Sequence, residues 1–143
     1  MIRAVLDTNI LISALITKKD SPPLQLYKAF TAQKFLLITS PSILAEIEDV
    51  INREKLVKYH KLSPHQRHAI MEQLLTLCYV TLESIKLDKV IIEKDPKDDK
   101  FLHAAIEANA DFIISGDHHL LDLIEYKEIK IVSPNEFLKL ISL

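Results

Sequence analysis

The stretch MIRAVLDTNILIS, residues 1–13, decides how the rest of the chain can be arranged. Its apolar run over residues 2–6, interrupted by Arg3, has the length and the Val, Ile and Leu content of a buried strand in a parallel sheet. Asp7 follows directly, and the second apolar run beyond it has helical spacing. Asp7 therefore lies where a predicted central strand ends and a helix begins. In open α/β sheets, ligands bind in the crevice at the carboxyl ends of the strands.

Length and composition predict one domain, over residues 1–143, with a substantial core. The chain is 48% hydrophobic, and a chain of this size buries roughly 70% of the surface that its unfolded form exposes. No apolar run reaches the roughly 20 residues of a membrane span, and Asp7 interrupts the apolar start where a signal peptide would continue. The single cysteine, Cys78, excludes an internal disulfide and favours a reducing compartment. We therefore expect a cytoplasmic protein with no membrane association.

Composition also excludes several phosphate-binding classes. The sequence has a single glycine, Gly116, which rules out the Gly-rich loops of P-loop hydrolases and of Rossmann dinucleotide-binding domains. The net charge of −2 gives no general support to nucleic-acid binding, which would need a local basic patch. Residues 53–67 form such a patch in sequence, although a solvated helix surface is the simpler interpretation. The candidates for contacts to an RNA backbone are Arg53, Lys55, Lys58 and Lys61.

The remaining apolar segments predict an alternating α/β arrangement. Strand-like runs cover residues 35–39, 79–82, 112–114 and 129–132, and a short extended piece covers 90–92. Segments with helical periodicity separate them. With right-handed crossovers, this alternation predicts a three-layer α/β/α sandwich around a mainly parallel sheet of about five strands.

Local capping signals mark where several of these helices begin and end. Ser40 and Ser133 are each followed by proline, which combines an N-cap with a favoured first helical residue. Ser63 opens a capping box, with glutamine three residues later. Asp95, also followed by proline, is the predicted N-cap of a helix that Asn109 closes in the left-handed conformation.

Acidic residues recur near the predicted strand ends. Asp7 and Asp117 each follow a strand, and Glu46 lies about one turn into the helix after another strand. Glu48 lies on the opposite flank of that helix. Periodicity does not choose between the two glutamates, but Glu46 is nearer the carboxyl end of the strand. Each of these acids could instead be a helix cap or a solvated surface residue.

A fourth acid is expected at the start of the helix that buries Phe101 and Leu102. A rotation of about 100° per residue places Asp98 near the middle of the buried face and Asp99 beyond its edge. Asp98 is therefore the expected fourth member, although the run DPKDD at residues 95–99 leaves an ambiguity of one residue.

Bound divalent cations would explain why four carboxylates are tolerated together. Without them, the acids would repel one another and some would have to be protonated. Mg²⁺ prefers oxygen ligands and uses one or two carboxylates beside water and substrate phosphates. Two such ions about 3.5–4 Å apart can activate a water and stabilise the leaving oxygen of an in-line phosphoryl displacement. Zinc is disfavoured, since no His-x-x-x-His or cysteine pair accompanies the acids.

The segments that carry these acids resemble the motifs of PIN-domain proteins, the fold of many metal-dependent ribonucleases. LDTNIL at residues 6–11 is similar to the opening motif of that family, and LAEI at 44–47 resembles its helix with a glutamate. Asp98 followed by LHAAIEANADFIISGD at 102–117 resembles its third block. The resemblance implies metal ligation by Asp7, Glu46, Asp98 and Asp117, with Asp99 as a further candidate and with Thr8, Asn9 and Ser115 as supporting residues.

The same resemblance implies an endoribonuclease that depends on Mg²⁺ or Mn²⁺. Within the family, the compact single-domain size resembles the toxin of a toxin–antitoxin pair, which cleaves RNA, is silenced by a small antitoxin protein and is commonly a homodimer. The alternative is a module that binds RNA or a protein without turnover, although a binder of phosphate gains nothing from four repelling acids. A receiver domain would have paired acids after its first strand, and an aspartyl phosphatase would need a second aspartate where Asn9 stands.

Overall fold

The computed structural model describes residues 1–17, 19–84 and 98–142. The strands are β1 (Arg3–Leu6), β2 (Leu36–Thr39), β3 (Tyr79–Val80), β4 (Phe112–Ile114), β5 (Glu125–Tyr126) and β6 (Ile129–Val132). The helices are α1 (Thr8–Ile16), α2 (Pro22–Thr31), α3 (Pro41–Ile51), α4 (Glu54–His60), α5 (Pro64–Leu77), α6 (Asp99–Glu107), α7 (His118–Leu121) and α8 (Pro134–Ile141). None of these helices, in the described part of the chain, has the length and apolar character that crossing a bilayer requires. The predicted extended piece at 90–92 and the predicted cap at Asp95 lie outside the described residues.

The strands form one sheet in the order β3-β2-β1-β4-β6-β5. Neighbouring strands are parallel, except that β5 pairs antiparallel with β6. Strand β1 lies in the interior of the sheet, between β2 and β4. The predicted α/β/α fold with a mainly parallel sheet is confirmed, and β5 is an additional edge strand that the sequence did not predict.

A continuous apolar core holds the sheet against its helices. Phe35 and Phe112 both meet Phe137 of α8 edge to face, with ring centroids 5.0 and 5.7 Å apart. Helix α6 packs against β1, β2 and β4 and buries Phe101 and Leu102 completely. The central strands are therefore held by packing on helices that are distant in sequence.

The described helix caps agree with the local signals in the sequence. The hydroxyl oxygens of Ser40 and Ser133 accept backbone N–H bonds at the starts of α3 and α8. Ser63 and Gln66 form the predicted capping box at the start of α5. Asn109, just beyond α6, has a φ of 53°, which is the left-handed conformation expected for it.

Candidate active site

The residues that directly follow the five parallel strands form one polar row at the carboxyl edge of the sheet. The row follows from the register, because Leu6 pairs with Ile114 and Ile114 pairs with Val132. On the other side of β1, Val5 pairs with Ile38, and the pairing of β2 with β3 extends the row. In sheet order, the row consists of Thr81, Ser40, Asp7, Ser115 and Ser133. Each of these side chains carries a hydroxyl or a carboxyl group, so this edge can offer oxygen atoms to a ligand.

Asp7 is the acid in this row, and it is only 3% exposed. Its Oδ1 accepts a hydrogen bond from the backbone N–H of Asn9 at 3.2 Å, and its Oδ2 accepts one from Ser115 Oγ at 2.8 Å. Ser115 Oγ accepts in turn from the backbone N–H of Asp117 at 2.9 Å. One serine hydroxyl thus connects the carboxylate after β1 with the backbone of the acid that follows β4.

The charges of two other carboxylates act on Asp7 at this edge. Burial raises the pKa of Asp7 above its ordinary value of 3.8, and the negative charges of Asp117 and Glu46 raise it further. The hydrogen bonds from Ser115 and Asn9 oppose this shift. The fold therefore brings Asp7, Glu46 and Asp117 close enough to repel, although they come from distant segments.

Glu46 is held by a lysine that the sequence did not single out. Lys100 Nζ lies 2.6 Å from Glu46 Oε2 and 4.9 Å from the centre of the Phe101 ring. Glu46 is half-buried on α3, whereas Glu48 on the same helix is exposed. The ion pair joins α3 to the first turn of α6. Pairing between two distant helices cannot be read from the position of one lysine in the sequence, which explains why Lys100 was missed.

The expectation that Asp98 rather than Asp99 faces the interior is wrong. Asp99 is 6% exposed, whereas Asp98 is half-buried. The expectation extrapolated a regular helix through both residues, but α6 begins at Asp99 and Asp98 is its N-cap residue. At a helix start, the neighbouring elements determine which side chain is covered, so a helical wheel drawn from the middle of the helix does not apply there.

Thr8 and Asn9 flank Asp7 in different ways. Asn9 is exposed, and it holds Asp7 through its backbone N–H. Thr8 Oγ1 is buried and has no hydrogen-bond partner among the described residues, and the same holds for the hydroxyls of Thr39 and Thr81. Buried hydroxyls usually find a partner. The hydroxyls of Thr39 and Thr81 lie at the carboxyl ends of β2 and β3, and the hydroxyl of Thr8 lies next to Asp7. Each of these three hydroxyls can still form a hydrogen bond to a ligand.

Glu83 is a further acid near this edge that the sequence analysis missed. It lies three residues beyond β3 with a φ of 56°, and its Oε1 accepts a hydrogen bond from the backbone N–H of Ser42 at 2.5 Å. Hydrogen bonds from Ser42 lower the pKa of Glu83. Glu83 therefore anchors the start of α3, the helix that carries Glu46. Its nearness to a strand end was the available signal, but β3 has only two residues, too few for a clear period.

The predicted basic patch lies on and around α4. This helix packs against α1, which starts beside Asp7, and against α3, which carries Glu46. The side chains of Arg53 and Lys58 form exposed ion pairs with acids four residues away. The remaining candidates, Lys55 and Lys61, are also exposed.

The expected cluster of four acids is not preformed in the described ranges. Among these residues, no group of three His, Cys, Asp or Glu side chains is arranged to hold one metal ion. Carboxylates without a counter-ion repel one another, and Glu46 is drawn to Lys100. The donor chemistry nevertheless fits a hard cation, because Mg²⁺ needs only one or two protein carboxylates and keeps water as its other ligands. Asp7, Asp117 and the unsatisfied hydroxyl of Thr8 are oxygen donors of that kind.

Comparison with known proteins identifies the family to which this chain is similar. The model of the PIN domain family matches residues 3–119, a span that includes every acid of the candidate site. A protein of Methanocaldococcus jannaschii, described only as uncharacterized, is 34% identical over 146 aligned residues, which cover 96% of this chain and 90% of that protein. Proteins of the matched family are generally nucleases. The chain therefore belongs to the PIN-domain family.

Proposed function

We propose that residues 1–143 act as one nuclease domain, an endoribonuclease that requires Mg²⁺ or Mn²⁺ and hydrolyses RNA phosphodiester bonds. The observation that carries the proposal is the buried carboxylate of Asp7, linked through the Ser115 hydroxyl to the backbone of Asp117. A serine or an asparagine would cap α1 without the free-energy cost of burying a charge. A functional role for the Asp7 carboxylate explains why a buried charge that lowers stability is found at this position.

The chain offers fixed oxygen ligands to a cation. Hydrogen bonds hold both oxygens of Asp7, so this carboxylate is oriented before any ligand arrives. We assign the cation to Asp7 and Asp117, with Glu46 and Asp99 as additional ligands. Asp99 replaces Asp98 in this assignment because it is the buried member of the pair. A bound Mg²⁺ or Mn²⁺ would supply the Lewis acidity that activates water and stabilises the charge on the leaving oxygen.

RNA is the proposed substrate because a basic surface adjoins the acidic edge. Helix α4 packs on α1 and α3, so the cations of residues 53–61 belong to the same part of the molecule as Asp7 and Glu46. Contacts from Arg53, Lys55, Lys58 and Lys61 to phosphates would position a strand without reading its sequence.

The proposal includes a biological role, that of the toxin in a toxin–antitoxin pair. The compact size of the chain and the resemblance to such toxins support this role. In this role the protein would be a cytoplasmic homodimer that an antitoxin protein inhibits. Expression of the chain alone should arrest growth, and co-expression with a short neighbouring reading frame should restore it. Unimpaired growth with the chain alone, together with a monomer mass of 16.4 kDa in light scattering, would contradict this role.

A cleavage assay on labelled single-stranded RNA tests the chemical proposal. Cleavage should appear with Mg²⁺ or Mn²⁺ and stop with a chelator. Asp7→Asn should lower the rate by about 100-fold or more, equivalent to about 2.7 kcal/mol of transition-state stabilisation, while the circular dichroism spectrum stays unchanged. Asp122→Asn, which changes an exposed acid beyond α7, is the matched control. RNA binding without cleavage at any metal concentration would instead support the binding module.

A further inference from the structure

A lysine is built into the acidic edge of this protein. Lys100 Nζ lies 2.6 Å from Glu46 Oε2, and the two side chains are only 16% and 31% exposed. We propose that Lys100 is a positioning residue that holds Glu46 in the metal-free protein and competes with the divalent cation for the Glu46 carboxylate. Cation binding then requires this ion pair to open. The inference rests on the proposed function, because it concerns the same cation.

The Lys100–Glu46 pair differs from the ion pairs that Arg53 and Lys58 form. Arg53 and Lys58 pair with acids four residues away, and the side chains of both pairs are at least 60% exposed. Such pairs contribute little, since water screens them. Lys100 and Glu46 instead connect two helices that are distant in sequence, and each is largely shielded from water. A shielded charge is costly without its partner, so this pair sets where the Glu46 carboxylate lies.

Charge balance makes Lys100 and a divalent cation competitors. The charges of Asp117 and Glu46 both act on Asp7, so several negative charges lie near this buried carboxylate. The ammonium of Lys100 neutralises one of them directly. A divalent cation that binds the Glu46 carboxylate would have to displace this ammonium from it. While Glu46 is paired with Lys100, no group of three His, Cys, Asp or Glu side chains among the described residues is arranged to hold a metal ion.

Metal binding in the absence of RNA tests the inference directly. Mn²⁺ binding to purified protein should be measured by titration calorimetry for the wild type, Lys100→Gln and Lys100→Arg. We expect Lys100→Gln to bind Mn²⁺ about 5-fold to 10-fold more tightly, because the competing charge is gone, and Lys100→Arg to bind like the wild type. The matched control Lys139→Gln removes an exposed charge on α8 and should leave the affinity unchanged.

A double-mutant cycle separates the ion pair from a general effect of charge. In a Glu46→Gln background there is no carboxylate to compete for, so Lys100→Gln should then change Mn²⁺ affinity by less than about twofold. A second readout is the metal-free protein, in which Lys100→Gln should lower the melting temperature, while Mn²⁺ raises it by more than in the wild type. Lys100→Met, which keeps the apolar stem, provides the same comparison should the glutamine variant fold poorly.

If the wild type binds Mn²⁺, two results would overturn this inference and leave the proposed function standing. The first is that Lys100→Gln binds Mn²⁺ no more tightly than the wild type. The second is that Lys100→Gln raises the Mn²⁺ affinity by the same factor in the Glu46→Gln background as in the wild type. A wild type that binds no Mn²⁺ and cleaves no RNA would instead refute the proposed function, and the inference with it.

Discussion

The buried carboxylate of Asp7 costs folding free energy when it is ionised, and the same carboxylate is the proposed ligand of the cation. Its pKa is raised in the folded protein, first by burial and then by the charges of Asp117 and Glu46. The protonated form therefore stabilises the fold. This contribution is fully present below the ordinary pKa of 3.8 and is lost as the pH rises through the folded value. At neutral pH and without metal, ionised Asp7 lowers the free energy of unfolding.

The first prediction is that Asp7→Asn raises the melting temperature of the metal-free protein at pH 7. The amide removes a buried charge and can still accept the N–H bond that caps α1, and each kcal/mol gained corresponds to about 3–4 °C in a domain of this size. Thermal unfolding with a chelator, followed by circular dichroism at pH 7 and near pH 3.5, measures the effect. The gain should vanish at the lower pH, where Asp7 of the wild type is protonated. A lower melting temperature at pH 7 would contradict the argument.

The second prediction concerns Cys78 at the end of α5. Burial raises the pKa of its thiol to about 12, so thiolate, the reactive form, is scarce at pH 8. The folded protein should react with a disulfide reagent about 1000-fold more slowly than the same protein in denaturant. The absorbance of the released thiol measures both rates. Comparable rates in the two conditions would show that the thiol is accessible and ionised.

Local signals predicted strand β6 but did not reveal β5 or the hairpin that joins the two strands. Its two-residue turn consists of Lys127 and Glu128, with φ of 48° and 70°. Positive φ at both positions is what a type I′ turn requires, and Asn-Gly or Asp-Gly is the usual sequence. Lys-Glu gives no such signal. The pairing of Glu125 with Lys130 and of Tyr126 with Ile129 holds the turn in place.

The third prediction follows from this turn. Replacing Lys127 and Glu128 by Asn and Gly should raise the free energy of unfolding by about 1–2 kcal/mol, because the left-handed conformation costs about that much for an ordinary residue and glycine removes this cost at position 128. Urea unfolding measures the change. The opposite replacement, valine at both positions, is the control and should destabilise the protein, since β-branched residues tolerate positive φ poorly. Equal midpoints for both variants would show that the turn carries no strain.

At the scale of the whole molecule, the sheet brings the acidic edge and the basic helix together. Helix α4 packs on the two helices that begin at the carboxyl ends of β1 and β2. The net charge of −2 therefore does not describe the local charge around α4, where Lys55 and Lys61 are exposed beside the paired side chains of Arg53 and Lys58. RNA would bind through local rather than overall charge.

The fourth prediction is that Lys55→Gln combined with Lys61→Gln weakens RNA binding and reduces its salt dependence. Each lost phosphate contact should lower the slope of log affinity against log salt by about 0.7 for a single strand, or about 1.4 for both. Fluorescence anisotropy in an Asp7→Asn background with chelator measures binding without cleavage. Lys28→Gln with Lys139→Gln, on α2 and α8, is the matched control. An unchanged slope in the test variant would remove α4 from the RNA-binding surface.

Much of the fold could be predicted because its signals are local. The apolar run before Asp7, the serine caps at Ser40, Ser63 and Ser133, and the left-handed Asn109 depend on chain neighbours only. The alternation of strands and helices then implies a parallel sheet, and a parallel sheet brings its strand ends to one edge. The expected neighbourhood of Asp7, Glu46 and Asp117 follows from this rule.

The sequence by itself determined the alternating pattern, the caps, the central strand that ends at Asp7 and the edge at which acids collect. Only the tertiary structure decided that Asp99 rather than Asp98 is buried, that Lys100 holds Glu46, and that Ser115 connects Asp7 with Asp117. The physical reason is the range of the interactions. Periodicity and capping act over a few residues, whereas burial at a helix end and ion pairs between helices depend on elements that meet only when the chain is folded.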